Sequence, residues 1–179
     1  MDWSLVIEVW KKISMFFYAI GFFSEVIIIG LSIFLLYTNI YSIVFYLIGI
    51  IGSFTINQVL KQLIQEKRPP SPMKFLNSDK FENKTMVYGM PSGHSQHLFF
   101  SIFYLYLSIK DFYPWILLIS SSIGIMTIAE RWYFRNHTFK QLMVGAMVGS
   151  MFAFVTVYIR DKLSPILSHK IKSYHIKKK

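Results

Sequence analysis

Apolar positions in this chain fall into long runs separated by short polar breaks, and the runs set the first reading. From Ile13 to Tyr37 the sequence is apolar except for Glu25, and about 20 such residues suffice for a helix to cross a bilayer. Thr38-Asn39 makes a short turn, and Ile40 to Leu60 forms a second run without a charge. Lys61 continues that helix, which should stop before Arg68-Pro69-Pro70, because a residue preceding proline is pushed out of the helical region. Pro69 to Tyr88 reads as a polar loop, too long for a mere connector. Ser92-Gly93 then opens a third helix running through Leu98 to Ile109, Pro114 to Ala129 is the fourth, and Leu142 to Ile159 is the fifth after a polar break from Glu130 to Lys140. The expected fold is all-α, an integral membrane bundle of about five transmembrane helices.

The flanks divide the chain further. Residues 1–12 mix Trp3, Leu5, Ile7 and Trp10 with Asp2, Glu8, Lys11 and Lys12, which suits either an interfacial helix or a simple flank to the first span. Asp2 and Glu8 stand where a signal peptide has a basic start, so no signal peptide is expected. Residues 13–160 form the transmembrane domain, and 161–179 a basic tail suited to anionic headgroups. Gly145, Ala146, Gly149 and Ser150 recur at helical spacing and suit close helix packing, while Asn57 and Gln58 need partners on neighbouring helices. Glu25 is costly within a span and is expected to be structural or interfacial; His97 is expected to serve packing or the interface.

Composition agrees with a membrane protein: 54% of the 179 residues are hydrophobic and the mean hydropathy is +0.43. The net charge of +10 points to the bilayer surface or a phosphorylated substrate rather than to nucleic acid. There is no cysteine, and no acidic cluster or histidine pattern suggests a metal, so neither a metal nor another cofactor is expected. Five spans would place the 61–94 and 130–140 stretches on one side and the tail on the other. With the loop cations set aside as substrate ligands, the tail is oriented toward the cytoplasm. Nothing in the pattern sets an oligomeric state.

A phosphate ester needs its oxygens neutralised, a nucleophile in line and an acid for the leaving oxygen. Lys61, Arg68 and Arg131 can supply cations, and Ser92 and Gly93 precede a helix whose N–H groups would face an anion. His94 and His137 reach the same region from different segments, so one could attack and the other protonate.

Lys61 followed by Arg68-Pro69, then Pro91-Ser92-Gly93-His94, then Arg131 with His137, resembles the three-part signature of the type 2 phosphatidic acid phosphatase superfamily, over about Asn57 to Gly149. Ile64-Gln65-Glu66, Tyr88-Gly89-Met90, Ser95-Gln96 and His137-Thr138 leading to Gln141 are most similar to its dolichyl diphosphatase branch. Those enzymes remove the terminal phosphate of dolichyl diphosphate at the lumenal face of the endoplasmic reticulum without a metal. The resemblance implies His137 as nucleophile through a phosphohistidine, His94 as acid and then base, and Lys61, Arg68, Ser92, Gly93 and Arg131 as phosphate ligands. Gln141, four residues beyond His137, can accept the ring N–H.

The chain departs from the superfamily pattern at Glu130, usually serine, which would turn toward Arg131 or Arg135 or supply the charge that Gln141 lacks. Gly93 stands where the dolichyl branch has serine. Asn83-Lys84-Thr85 fits an N-glycosylation acceptor. The expected function is hydrolysis of a polyprenyl diphosphate. A lipid monophosphate phosphatase and an inactive lipid-binding relative are the alternatives.

Overall fold

The computed structural model of the chain describes residues 3–70, 88–109 and 114–177, with side chains through His169. The Asn83-Lys84-Thr85 pattern, most of the 69–88 loop, Lys110-Asp111 and the last two lysines lie outside the described residues. Five helices follow in order: α1 (Trp3–Leu36), α2 (Ile40–Ile64), α3 (Gly93–Ser108), α4 (Pro114–Tyr133) and α5 (Phe139–Lys177). Among the described residues there is no strand, only an isolated antiparallel bridge between Lys67 and Tyr88.

Small and polar residues at helical spacing decide which face of each helix turns inward. On α1 the buried stripe is Tyr18, Gly21, Ser24, Ile28, Ser32 and Leu36; on α2 it is Ser42, Tyr46, Gly49, Ile50, Ser53, Asn57 and Lys61. The steps of three and four are those of one helix face. Outside the stripes lies an apolar coat that includes exposed Phe16, Val26, Phe34, Ile51, Leu63, Leu118, Met147 and Met151, as expected of a bundle solvated by lipid. Asn39 caps α2 by accepting the Ser42 N–H at 3.1 Å. Gln65 ends α2 in the left-handed region at φ 52°, turning the chain back toward Tyr88.

The helix α3 is the centre of the bundle. It packs against all four other helices, most extensively α5, and buries Gln96, His97, Leu98, Phe100, Ser101, Tyr104 and Leu105. Its 16 residues rise about 24 Å, short of the roughly 30 Å hydrocarbon core. Among the described residues, three of the five helices are long and apolar enough by themselves to cross a membrane: Trp3–Leu36, Ile40–Ile64 and Phe139–His169. The apolar run of α3 faces protein rather than lipid, and α4 carries Glu130 and Arg131 in its inward stripe.

Residues 3–12 are continuous with α1, and the basic tail continues α5 without a break through Pro165. Arg160 turns inward from α5: it is buried, ion-paired with Asp161 at 2.8 Å, bonded to Ser108, and set over the Tyr104 ring at 5.5 Å. It joins α5 to the end of α3, at the far end from the histidines. Asn57 finds its partners on the α3 side, donating to the Pro91 carbonyl at 3.2 Å and to Gln96 Oε1 at 2.9 Å, whereas Gln58 is exposed.

Close approach of α5 to α3 depends on two glycines. A Cβ at Gly145 or Gly149 would collide with the backbone carbonyls of Ser92 and Gln96 respectively. Gly149→Ala should therefore destabilise the protein by about 1–3 kcal/mol, the usual cost of overpacking. Gly30→Ala on α1, whose added Cβ would meet no other part of the described residues within 4 Å, should not, as read from thermal unfolding in detergent.

Candidate active site

Four segments meet at the end of the bundle where α2 and α4 finish and α3 and α5 begin. Backbone hydrogen bonds join them: Gly89 N–H donates to the Glu66 carbonyl at 2.7 Å, and Ser92 N–H to the Gln141 carbonyl at 3.0 Å. The turn between α4 and α5 closes with the N–H groups of Asn136 and His137 both on the Arg131 carbonyl, Arg135 taking φ 56°. Sequence positions far apart thereby surround His137.

His137 is 3% exposed, and its surroundings fix its tautomer. Nδ1 lies 3.1 Å from the Gly89 carbonyl and 3.2 Å from Gln141 Oε1. A carbonyl only accepts, so Nδ1 carries the proton and the Nε2 lone pair is free. The Gln141 amide is itself oriented, because Oε1 also accepts the Thr138 N–H at 3.2 Å while Nε2 donates to Glu66 Oε1 at 3.0 Å and to the Lys67 carbonyl at 2.9 Å. Reversing the amide would set donors against donors. The expected Gln141 contact is present, and behind it stands the Glu66 carboxylate, which nothing but the branch resemblance had singled out. Burial, with the charges of Arg68, His94 and Lys61, pushes the His137 pKa well below the ordinary histidine range, the Gln141 hydrogen bond acting in the other sense.

The expected phosphate ligands gather at the same end. Lys61 and Arg131 are buried, at 7% and 5% exposure, and Arg68 is half-buried. Arg68 Nε, Arg131 Nη2, and the hydroxyls of Ser92 and Ser95 are buried with no hydrogen-bond partner among the described residues. Such a surplus of buried donors suits a ligand rich in acceptors. The Ser92 N–H is not available to an anion, since Gln141 takes it. The first turn of α3 still leaves the N–H groups of Gly93, His94 and Ser95 without an intrahelical acceptor.

His94 opens α3, and its partner comes from an unexpected place. Glu25 of α1 sets Oε2 3.6 Å from His94 Nε2 and Oε1 2.7 Å from His97 Nδ1. The cost of a carboxylate within an apolar span was the signal for it. Glu130 turns away from His137, pairing with Arg131 Nε at 3.1 Å and lying so close to Gly21 that a Cβ there would overlap it. Of the two sequence alternatives this matches the turn toward Arg131; the carboxylate behind Gln141 is Glu66.

A cleft of about 270 Å³ opens on His137, with Arg135 at its edge and Trp132, Phe139, Pro69 and Pro70 as apolar walls. A buried imidazole with a free lone pair, cations beside it and an apolar approach can carry out phosphoryl transfer from a lipid phosphate.

The chain belongs to the PAP2 superfamily, which it matches over residues 42–165. More particularly, it is similar to dolichyldiphosphatase 1 of Rhinolophus ferrumequinum, at 28% identity over 79% of this chain and 63% of that protein. It is also similar to dolichyldiphosphatase 1 of Dictyostelium discoideum, 34% identical over 71% of this chain and 58% of that protein, and to the Saccharomyces cerevisiae dolichyldiphosphatase, 31% identical over 59% and 48%. The matched region spans under two thirds of each of these relatives. In fold the chain resembles a transmembrane PAP2 type phosphatidylglycerolphosphate phosphatase from Bacillus subtilis, with a TM-score of 0.64 and 18% identity over 85% of this chain and 78% of that one.

A histidine with an ordinary pKa is mostly protonated at about pH 6, whereas His137, held below that range, should remain neutral and protonated at Nδ1. Nitrogen resonances of histidine-labelled protein, assigned with a His137→Gln variant, should show that neutral tautomer at about pH 6; an imidazolium signal would contradict the tautomer assignment.

Proposed function

We propose that the protein is a membrane phosphatase that hydrolyses a polyprenyl diphosphate, with dolichyl diphosphate favoured, to the monophosphate. The observation that carries the reading is the paired acceptance of the His137 Nδ1 proton by Gly89 and Gln141, which leaves Nε2 as a lone-pair donor beside the cations. Nε2 attacks the terminal phosphorus, the bond to the bridging oxygen breaks, and His94 gives its proton to that oxygen as the lipid monophosphate leaves. His94 then takes a proton from water, whose oxygen displaces His137 and releases inorganic phosphate. Lys61, Arg68, Arg131, the Ser92 hydroxyl and the N–H of Gly93 hold the transferred group. Glu66, acting through Gln141, balances the charge that His137 develops. No metal takes part in this scheme.

The diphosphate preference is supported by where the branch-like residues sit. Glu66, Gly89 and Gln141 form the support of His137, and Gln96 ties α3 to α2 through Ser53 and Asn57. The residues that resemble the dolichyl branch in sequence thus help to build the site. The reading places the protein in the endoplasmic reticulum membrane with its site lumenal and the end of α5 cytoplasmic.

One observation favours a second reading. Glu130 pairs with Arg131 and competes with phosphate for it, as a lipid-binding relative without turnover would tolerate. In detergent with EDTA, wild type should release phosphate from polyprenyl diphosphate faster than from phosphatidic acid. His137→Ala should abolish release, and Arg131→Ala should lower it about 10²-fold or more. Faster turnover of the monoester would make it a lipid monophosphate phosphatase, tight binding of diphosphate lipid without turnover would favour the second reading, and unchanged turnover in His137→Ala would overturn the mechanism.

A further inference from the structure

We infer that Glu25 of α1 is a positioning residue for His94, held in place by His97, and that this pair sets the proton supply of the site. The inference rests on the proposed phosphatase function and goes beyond it, because Glu25 and His97 belong to none of the signature segments.

The geometry makes His97 the fixed partner. Its Nδ1 lies 2.7 Å from Glu25 Oε1, and a carboxylate only accepts, so Nδ1 carries the proton. His97 Nε2 is buried without a hydrogen-bond partner among the described residues. The ring lies 3.7 Å from that of Phe54, centroid to centroid, and is 3% exposed. With one oxygen so held, the other oxygen of Glu25 faces His94 Nε2 at 3.6 Å.

The charges facing Glu25 give the contact its purpose. Charged and titratable groups gather here from several elements: Lys61 on α2, His94 and His97 on α3, and Arg131 on α4 face Glu25, and Arg68, in the segment after α2, faces His94 together with Arg131. An acid in this place must hold a proton beside cations that disfavour a further positive charge. A carboxylate within about 4–6 Å offsets that repulsion and favours the imidazolium. Both oxygens of Glu25 are directed at imidazoles rather than at the backbone of the bundle, as suits electrostatic control of His94. Among the described residues no group of His, Asp and Glu has the arrangement of a metal site.

The test is the pH profile of kcat/KM, which reports the steps through formation of the phosphoenzyme. Glu25→Gln keeps the shape and the acceptor for His97 but removes the charge. With polyprenyl diphosphate, its alkaline limb should move down by about one to three pH units, and turnover at neutral pH should fall about tenfold or more. With 2,4-dinitrophenyl phosphate, whose leaving phenolate needs no proton, the variant should approach wild type. His97→Phe, which keeps a ring against Phe54, should shift the limb in the same sense by less, and carries the test if Glu25→Gln does not fold. In a His94→Ala background, Glu25→Gln should cost nothing more. An unmoved limb, equal losses with both substrates, or an additional loss in the His94→Ala background would overturn the inference while leaving the phosphatase reading intact. A folded wild type that releases no phosphate from either substrate would overturn both.

Discussion

The site end of this protein depends on one buried amide. The Gln141 side chain, 0% exposed, accepts from His137 and Thr138 and donates to Glu66 and Lys67, while its backbone carbonyl receives Ser92. Those bonds hold together the start of α5, the turn before it, the segment after α2 and the cap of α3. An aspartate here could accept from His137 but could donate to neither Glu66 nor the Lys67 carbonyl, and would set two carboxylates against each other. The amide instead passes the polar connection one link further, to a carboxylate that Lys140 also pairs at 3.2 Å.

The same end carries a surplus of positive charge that must be stable before any anion arrives. Three glutamates from three elements offset it: Glu25 faces His94, Glu66 stands behind His137, and Glu130 pairs with Arg131. Buried cations of like sign repel strongly at low dielectric, so these carboxylates both stabilise the folded site and set what each cation and imidazole can do. At the far end Arg160 has the opposite task, closing the bundle between α2, α3 and α5 through Ser42, Ser108 and Tyr104. The tight approach of α3 to α5 at Gly145 and Gly149 connects the two ends.

What the sequence could reveal followed the range of the interactions. Gly145 and Gly149 are one helical turn apart and spacing alone aligned them; His137 lies in the turn before α5, yet only four residues from Gln141, so their contact was still within local reach. Contacts such as Glu25 with His97 or Glu66 with Gln141 span more than 70 residues, and no local pattern encodes them. The five helices were legible as apolar runs, but an apolar run in a buried central helix looks the same as one facing lipid, so which face of α3 turns inward was not. The charges near the end of α5 were visible in the sequence, while the inward turn of Arg160 was not. The glutamate within the first apolar run showed its cost in the sequence, but only the fold named its partners.

The central claim is that His137 becomes covalently phosphorylated. Brief mixing with terminally labelled polyprenyl diphosphate, an alkaline quench that preserves phosphohistidine, and peptide mass spectrometry test it directly. The account predicts phosphate on the peptide bearing His137; in a His94→Ala variant mixed instead with labelled 2,4-dinitrophenyl phosphate, whose leaving group needs no acid, that phosphate should accumulate further because nothing draws a proton from water. Phosphate on a different residue, or phosphate release from an enzyme that never carries label at His137, would contradict it.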